Sequence, residues 1–213
     1  MDIDNLAVRH IKKNKPPTAI ESFVPYDRPY GLTFGQWTVK WWEWAFSVPI
    51  PINPVLDDTG QHGSINQNGP VWFLAGTIGD DKKAAHRICS IPTGKALLFP
   101  VINFIYTNEP KFKTDSDLVG HVTKDIDDIV IKQAAVDGTM IPIYRVPAEP
   151  QTFHLKVKED NKMDIPIGIS KAAADGYWVF LKPLAKGKHE IYFHGACSGG
   201  IRNATANYQI TII

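Results

Sequence analysis

Apolar side chains fall at helical spacing in one short stretch of the chain and at strand spacing through most of the rest. In the run TFGQWTVKWWEWAF, Trp37, Trp41 and Trp44 recur at i, i+4 and i+7 and share a face with Phe34. Trp42 and Phe46 lie to one side of that face, and Lys40 and Glu43 mark the wetter one. Thr33 and Gln36 have the spacing of a capping box, which satisfies two N–H donors at a helix start. These signals predict a helix over 34–46, ended by Pro49 and Pro51. Residues 47–69 read as a long loop rich in Pro, Gly, Asn and Asp. Beyond it the period drops to two. Strands are predicted at 70–76, 85–91, 95–105, 129–136, 139–144, 152–158, 177–183, 188–195 and 204–213, with a second helix at 115–128. Pro92-Thr93-Gly94 joins two strands, and Asp137-Gly138 and Lys186-Gly187 read as hairpin turns.

Many short strands between turn signals predict a mainly β, single-domain antiparallel β-sandwich of jelly-roll or immunoglobulin-like type. Residues 1–30 read as an N-terminal arm, and 31–213 as the sandwich domain, including the helix capped at Thr33. The segments ValTrpPheLeuAla (71–75), AlaLeuLeuPhe (96–99) and TyrTrpValPheLeu (177–181) are apolar on both faces. A strand with one wet face alternates, so these strands must be covered twice. The tryptophan helix is the predicted second cover.

Composition changes this picture little. The chain has 213 residues, of which 44% are hydrophobic and 21% charged, enough for a full core without disulfide staples. A net charge of +1 gives no global field for nucleic acid or an anionic membrane. The basic cluster Arg9-His10-Ile11-Lys12-Lys13-Asn14-Lys15 reads as a solvated arm. No run approaches the ~20 apolar residues of a membrane span. The N-terminus opens on acids and lacks an apolar signal core, so the expected location is cytoplasmic, or exported if the chain is a trimmed mature form.

The motif Trp37-x-x-Lys40-Trp41-Trp42-x-Trp44, followed by Asn53-Pro54, Asp58-Thr59-Gly60 and Gly69-Pro70-Val71-Trp72-Phe73-Leu74-Ala75-Gly76, resembles a family of uncharacterised prokaryotic β-sandwich proteins, many of them exported. The likeness continues through Ile91-Pro92-x-Gly94-Lys95-Ala96 and Asp175-Gly176-Tyr177-Trp178, and covers roughly residues 30–195. The resemblance implies no activity. It implies a cysteine that pairs with Cys89, but His62 stands there in this chain, and an export signal is missing.

Several constellations carry candidate chemistry. His86-x-x-Cys89 and His194-x-x-Cys197 supply a possible zinc set; the alternatives are a Cys89–Cys197 disulfide or two unlinked thiols. Strand geometry turns residues i and i+3 to opposite faces, which counts against zinc; the lack of a signal peptide counts against the disulfide, so two unlinked thiols are the default and no metal or other cofactor is expected. Glu190, Tyr192 and His194 share one strand face, so Glu190 and His194 are candidates for acid–base work, against a solvated face as the plainer reading. Asp57, Asp58, Gln61, His62, Asn66 and Gln67 form the densest polar cluster and, with Trp72, are the candidate ligand-binding residues; turn chemistry is the alternative. The leading expectation is a non-catalytic binding module for a glycan, another small ligand or a protein surface, using the 47–69 loop. An assembly protein docking through aromatic surface on another subunit, a second copy included, comes next. A metal-assisted or acid–base hydrolase is third.

Overall fold

The strands that are apolar on both faces are indeed sandwiched between two cores. A computed structural model describes residues 19–77, 84–160, 165, 167–200 and 202–213. The basic cluster at 9–15 lies outside the described residues. The strands form two five-stranded sheets. Sheet A contains β1 (Val71–Phe73), β3 (Ala96–Thr107), β8 (Gly168–Leu181) and β6 (Tyr144–Arg145) in that order, with β7 (Phe153–Val157) also paired to β8. Sheet B runs β2 (Ala85–Ile91), β10 (Asn203–Ile212), β9 (Gly187–Cys197), β4 (Ile129–Val136), β5 (Thr139–Met140). Pairing is mostly antiparallel, but β1 runs parallel to β3 and β2 parallel to β10.

Side-chain parity divides sheet A between two cores. Trp72, Leu74, Leu97, Phe99, Val101, Val179 and Leu181 point toward sheet B and meet Ile191, Phe193, Tyr208 and Ile210 there. Val71, Phe73, Leu98, Trp178 and Phe180 point the other way, into a core shared with the helix α1 (Phe34–Ser47). The molecule is therefore a β-sandwich with a tryptophan-rich helix as a third layer. None of the four α1 indoles is more than 7% exposed. Trp42 and Phe46 are buried as well, so the apolar face of α1 is wider than the i, i+4, i+7 stripe.

The capping box forms as expected: Gln36 N–H donates to Thr33 Oγ1 at 3.1 Å, and Thr33 N–H to Gln36 Oε1 at 2.9 Å. At the other end the buried Asn53 Nδ2 donates to the carbonyls of Ala45 and Val48 at 2.8 and 2.7 Å. Three indole N–H groups reach backbone outside the helix: Trp37 to Pro29 O, Trp41 to Leu74 O and Trp44 to Ile65 O, at 2.8, 2.9 and 2.9 Å. These bonds lock α1 to the segments before and after it.

The second helix, α2 (Asp115–Asp127), packs on β3 and β8, with Leu118 and Val122 against Ala173. Residues 20–23 follow the edge of the sheet: Phe23 N–H donates to Phe180 O at 2.8 Å, and the Phe23 ring meets Phe180 at 5.0 Å. Tyr26, by contrast, is 86% exposed. Asp137-Gly138 turns the β4–β5 hairpin with both residues at positive φ. Lys186-Gly187 is not a hairpin turn, because β8 belongs to sheet A and β9 to sheet B. No helix among the described residues is long and apolar enough to cross a membrane.

Candidate functional site

The polar residues of the 47–69 loop bond mainly to their own chain. Asp57 is buried; its Oδ1 accepts Thr59 N–H and hydroxyl at 2.8 and 2.6 Å, and its Oδ2 accepts His62 N–H at 2.9 Å. Burial raises its carboxyl, but these hydrogen bonds outweigh burial and hold it below the ordinary range. Gln67 acts as a partner strand for β1: its Nε2 donates to Phe73 O at 2.8 Å, and its Oε1 accepts Phe73 N–H at 2.9 Å. Asn66 donates to Ser47 Oγ at 3.0 Å, and Gln61 Nε2 lies 3.1 Å from His62 Nε2. Asp58 has an exposed side chain, but its carbonyl accepts His86 N–H at 3.1 Å; Thr59 O accepts Ile88 N–H at 2.9 Å. The loop thus seals the free edge of β2. Gly60 permits this contact, since a Cβ there would stand 2.7 Å from Ile88 N and φ is +87°. Trp72 is sealed between the sheets at 5% exposure, out of reach of a ligand on the loop.

Sequence reasoning missed the residue around which the loop is organised. Arg87 is 2% exposed and bonds no carboxylate among the described residues. Its Nε donates to Asp57 O at 2.6 Å and its Nη2 to Val55 O and Gly76 O at 3.3 and 3.1 Å. Nη1 donates to Ala75 O and, at 2.9 Å, to the Tyr208 hydroxyl. Four carbonyls and a phenol therefore solvate the guanidinium charge with their dipoles. The signal was parity: Ala85, Arg87, Cys89 and Ile91 share the inward face of β2.

The four candidate zinc ligands do not converge. His86 faces outward and Cys89 inward on β2. Cys89 stands level with Ile210, which pairs with His189, eight residues before Cys197 on β9. That separation also puts a Cys89–Cys197 disulfide out of reach. Both thiols are free. Burial pushes the Cys89 thiol up to about 11, against a smaller opposing effect of the Arg87 charge. Among the described residues no group of three or more His, Cys, Asp or Glu side chains is arranged to hold a metal ion.

The outer face of sheet B is different. Register aligns Ala135, Tyr192, Asn207 and His86 in one row across β4, β9, β10 and β2. Glu190, Gln209 and Ile88 form the next row; Gln133, His194 and Thr205 flank the first on its other side. Here lies an open groove of about 330 Å³, lined by His86, Glu190, Tyr192, Asn207, Gln209 and, at its rim, Gly138. The side chains of those first five residues make no hydrogen bond to any described residue, whereas His194 is tied to Thr205 Oγ1 at 2.7 Å. Glu190 and His194 are about 13 Å apart along β9, too far for both to act on one bond.

A second cavity of about 320 Å³ lies beneath α2, lined by Val122, Thr123, Arg145, Ala174 and Asp175 among others. Its charges are already matched. Arg145 Nε and Nη2 donate to the buried Asp175 Oδ2 at 3.0 and 2.8 Å, and Nη1 donates to Asp127.

No family model matches the chain, and no curated protein matches it. Among solved structures, the solution structure of Amebosin aligns over 63% of this chain and 91% of its own, at 9% identity and a TM-score of 0.21. That likeness is too slight to support any statement about fold or function.

Proposed function

We propose that the chain is a non-catalytic binding module whose ligand lies on the outer face of sheet B. One observation carries this reading: five polar side chains from three strands line a single groove and bond nothing within the described chain. A rigid sheet holds them in fixed register, which suits binding without rearrangement. The loop first expected to bind is a weaker platform, because Asp57, Asn66 and Gln67 already have partners. An assembly role through the tryptophan helix lacks support, since its indoles are buried against sheet A. The hydrolase reading is weakened because its candidate pair, Glu190 and His194, stands too far apart to share a bond.

The test is nuclear magnetic resonance of the full chain against neutral oligosaccharides, polygalacturonate, and acidic and basic peptides. At least one probe should move the side-chain amide signals of Asn207 and Gln209. If none does, or if only loop signals from residues 57–68 move, the reading is wrong.

A further inference from the structure

We infer that the ligand is an uncharged oligosaccharide lying across the strands, with one sugar ring against Tyr192. This rests on the binding-module reading above and adds the ligand class.

Four properties of the groove point to it. The lining mixes donors and acceptors: the amides of Asn207 and Gln209 offer both, Glu190 accepts, and His86 does either. Sugar hydroxyls need that mixture, because each one donates and accepts. Next, Glu190 is the only acidic group in the lining, and no Lys or Arg joins it. Phosphate and sulfate groups are held by Arg and Lys, and neither lines the groove beside the Glu190 carboxylate.

Third, the Tyr192 ring has no ring or cation contact within the described chain. Its cross-strand neighbour on β4 is only Ala135, which leaves space beside the ring. Such a ring presents a flat apolar surface beside a polar tip, matching the C–H face and hydroxyl edge of a pyranose. Last comes shape. The groove crosses β2, β10, β9 and β4, three inter-strand steps or about 14 Å, longer than one sugar ring. Its volume of about 330 Å³ is in the range of small-ligand sites. Strand addition by a peptide needs a free sheet edge, and this groove lies on a face.

Titration calorimetry with cellohexaose, laminarihexaose, mannohexaose and xylohexaose tests the inference, with polygalacturonate and a basic peptide as charged probes. At least one neutral hexaose should bind. Tyr192→Ala should weaken it about tenfold, while Tyr192→Phe should stay within about threefold. Asn207→Ala should weaken binding through lost hydrogen bonds, and a thermal melt of each variant confirms that it is folded. Binding only to a charged probe, with the Asn207 and Gln209 amides moving, overturns the saccharide inference and leaves the binding module standing. Silence from every probe overturns both. A neutral hexaose that binds Tyr192→Ala as tightly as the parent protein also overturns the placement on Tyr192.

Discussion

Trp41 and Trp72 are both buried indoles from the same tryptophan-rich third of the chain, and they differ in one atom's surroundings. Trp41 Nε1 donates to Leu74 O at 2.9 Å, while Trp72 Nε1 has no acceptor among the described residues. Replacing either ring with phenylalanine removes similar apolar surface, but only Trp41→Phe breaks a hydrogen bond. Trp41→Phe should therefore cost more than Trp72→Phe by about 1 kcal/mol, and Trp41→Ala about 3–5 kcal/mol in all. Urea unfolding of the three variants checks the order; equal costs for the two phenylalanine variants would contradict it. The same atomic detail explains what sequence could and could not give at this scale. The capping box at Thr33 and Gln36 was legible because its two bonds depend only on local spacing. The roles of Asp57 and Gln67 were not, because a carboxylate or amide in a loop has the same letter whether it meets a ligand or the backbone of β1. Arg87 was hidden for a related reason: its partners come from Val55, Asp57, Ala75, Gly76 and Tyr208, segments that only folding brings together.

Elements were legible wherever pattern and propensity agreed. The strand at 85–91 and the two helices stand close to their expected limits. The first half of β8, Gly168 to Gly176, was missed because its run of three alanines has little intrinsic strand preference. It is extended because β7 and the second half of β3 pair with it. Sheet membership was equally hidden, since a turn sequence such as Lys186-Gly187 does not say which sheet receives the next strand. The contact between the 47–69 loop and β2 yields a prediction about how those elements are joined. A Cβ added at Gly63 would lie 3.8 Å from the Cβ of Cys89, the usual spacing across a disulfide. Gly63→Cys should therefore form a bond to Cys89 and raise stability by about 3 kcal/mol. Gly60 O, 3.2 Å from the added atom, has to yield by a few tenths of an ångström. Because burial keeps the Cys89 thiol protonated, oxidation should be slow at neutral pH and faster in alkali. Mass spectrometry and reversible melting with and without reductant measure both effects. A variant whose thiols both stay free under oxidant at alkaline pH would refute the geometry.

At the scale of the whole molecule, one carboxylate closes the 47–69 loop on itself and another ties together segments distant in sequence. Asp57 organises the loop over β2. Asp125 holds α2 to Tyr106 and to Arg202, which precedes β10. Burial raises the Asp125 carboxyl, but Tyr106, the bond and charge of Arg202, and the His121 ring together hold it below the ordinary range. A carboxyl depressed in the native state contributes stability that is present above its unfolded value, near 3.8, and lost as pH falls through its native value. The urea midpoint should accordingly fall as pH drops below about 4, and Asp57→Asn and Asp125→Asn should each flatten that fall. Unfolding series at several acid pH values measure the slopes, and unchanged slopes in both variants would count against the assignment.

The parallel pairing of β2 with β10 also sets an order of events during synthesis. Ala85 finds its partner only in Ala206, so β2 leaves the ribosome on the order of ten seconds before the strand that completes its ladder. During that interval the inward face of β2, with the Arg87 charge on it, has no sheet to join. The row His86, Asn207, Tyr192, Ala135 is assembled from both ends of this gap. A nascent chain stalled before residue 203 would thus carry the tryptophan layer and much of sheet A, but no groove. If the groove is the binding site proposed above, only a chain extended through β10 can bind there.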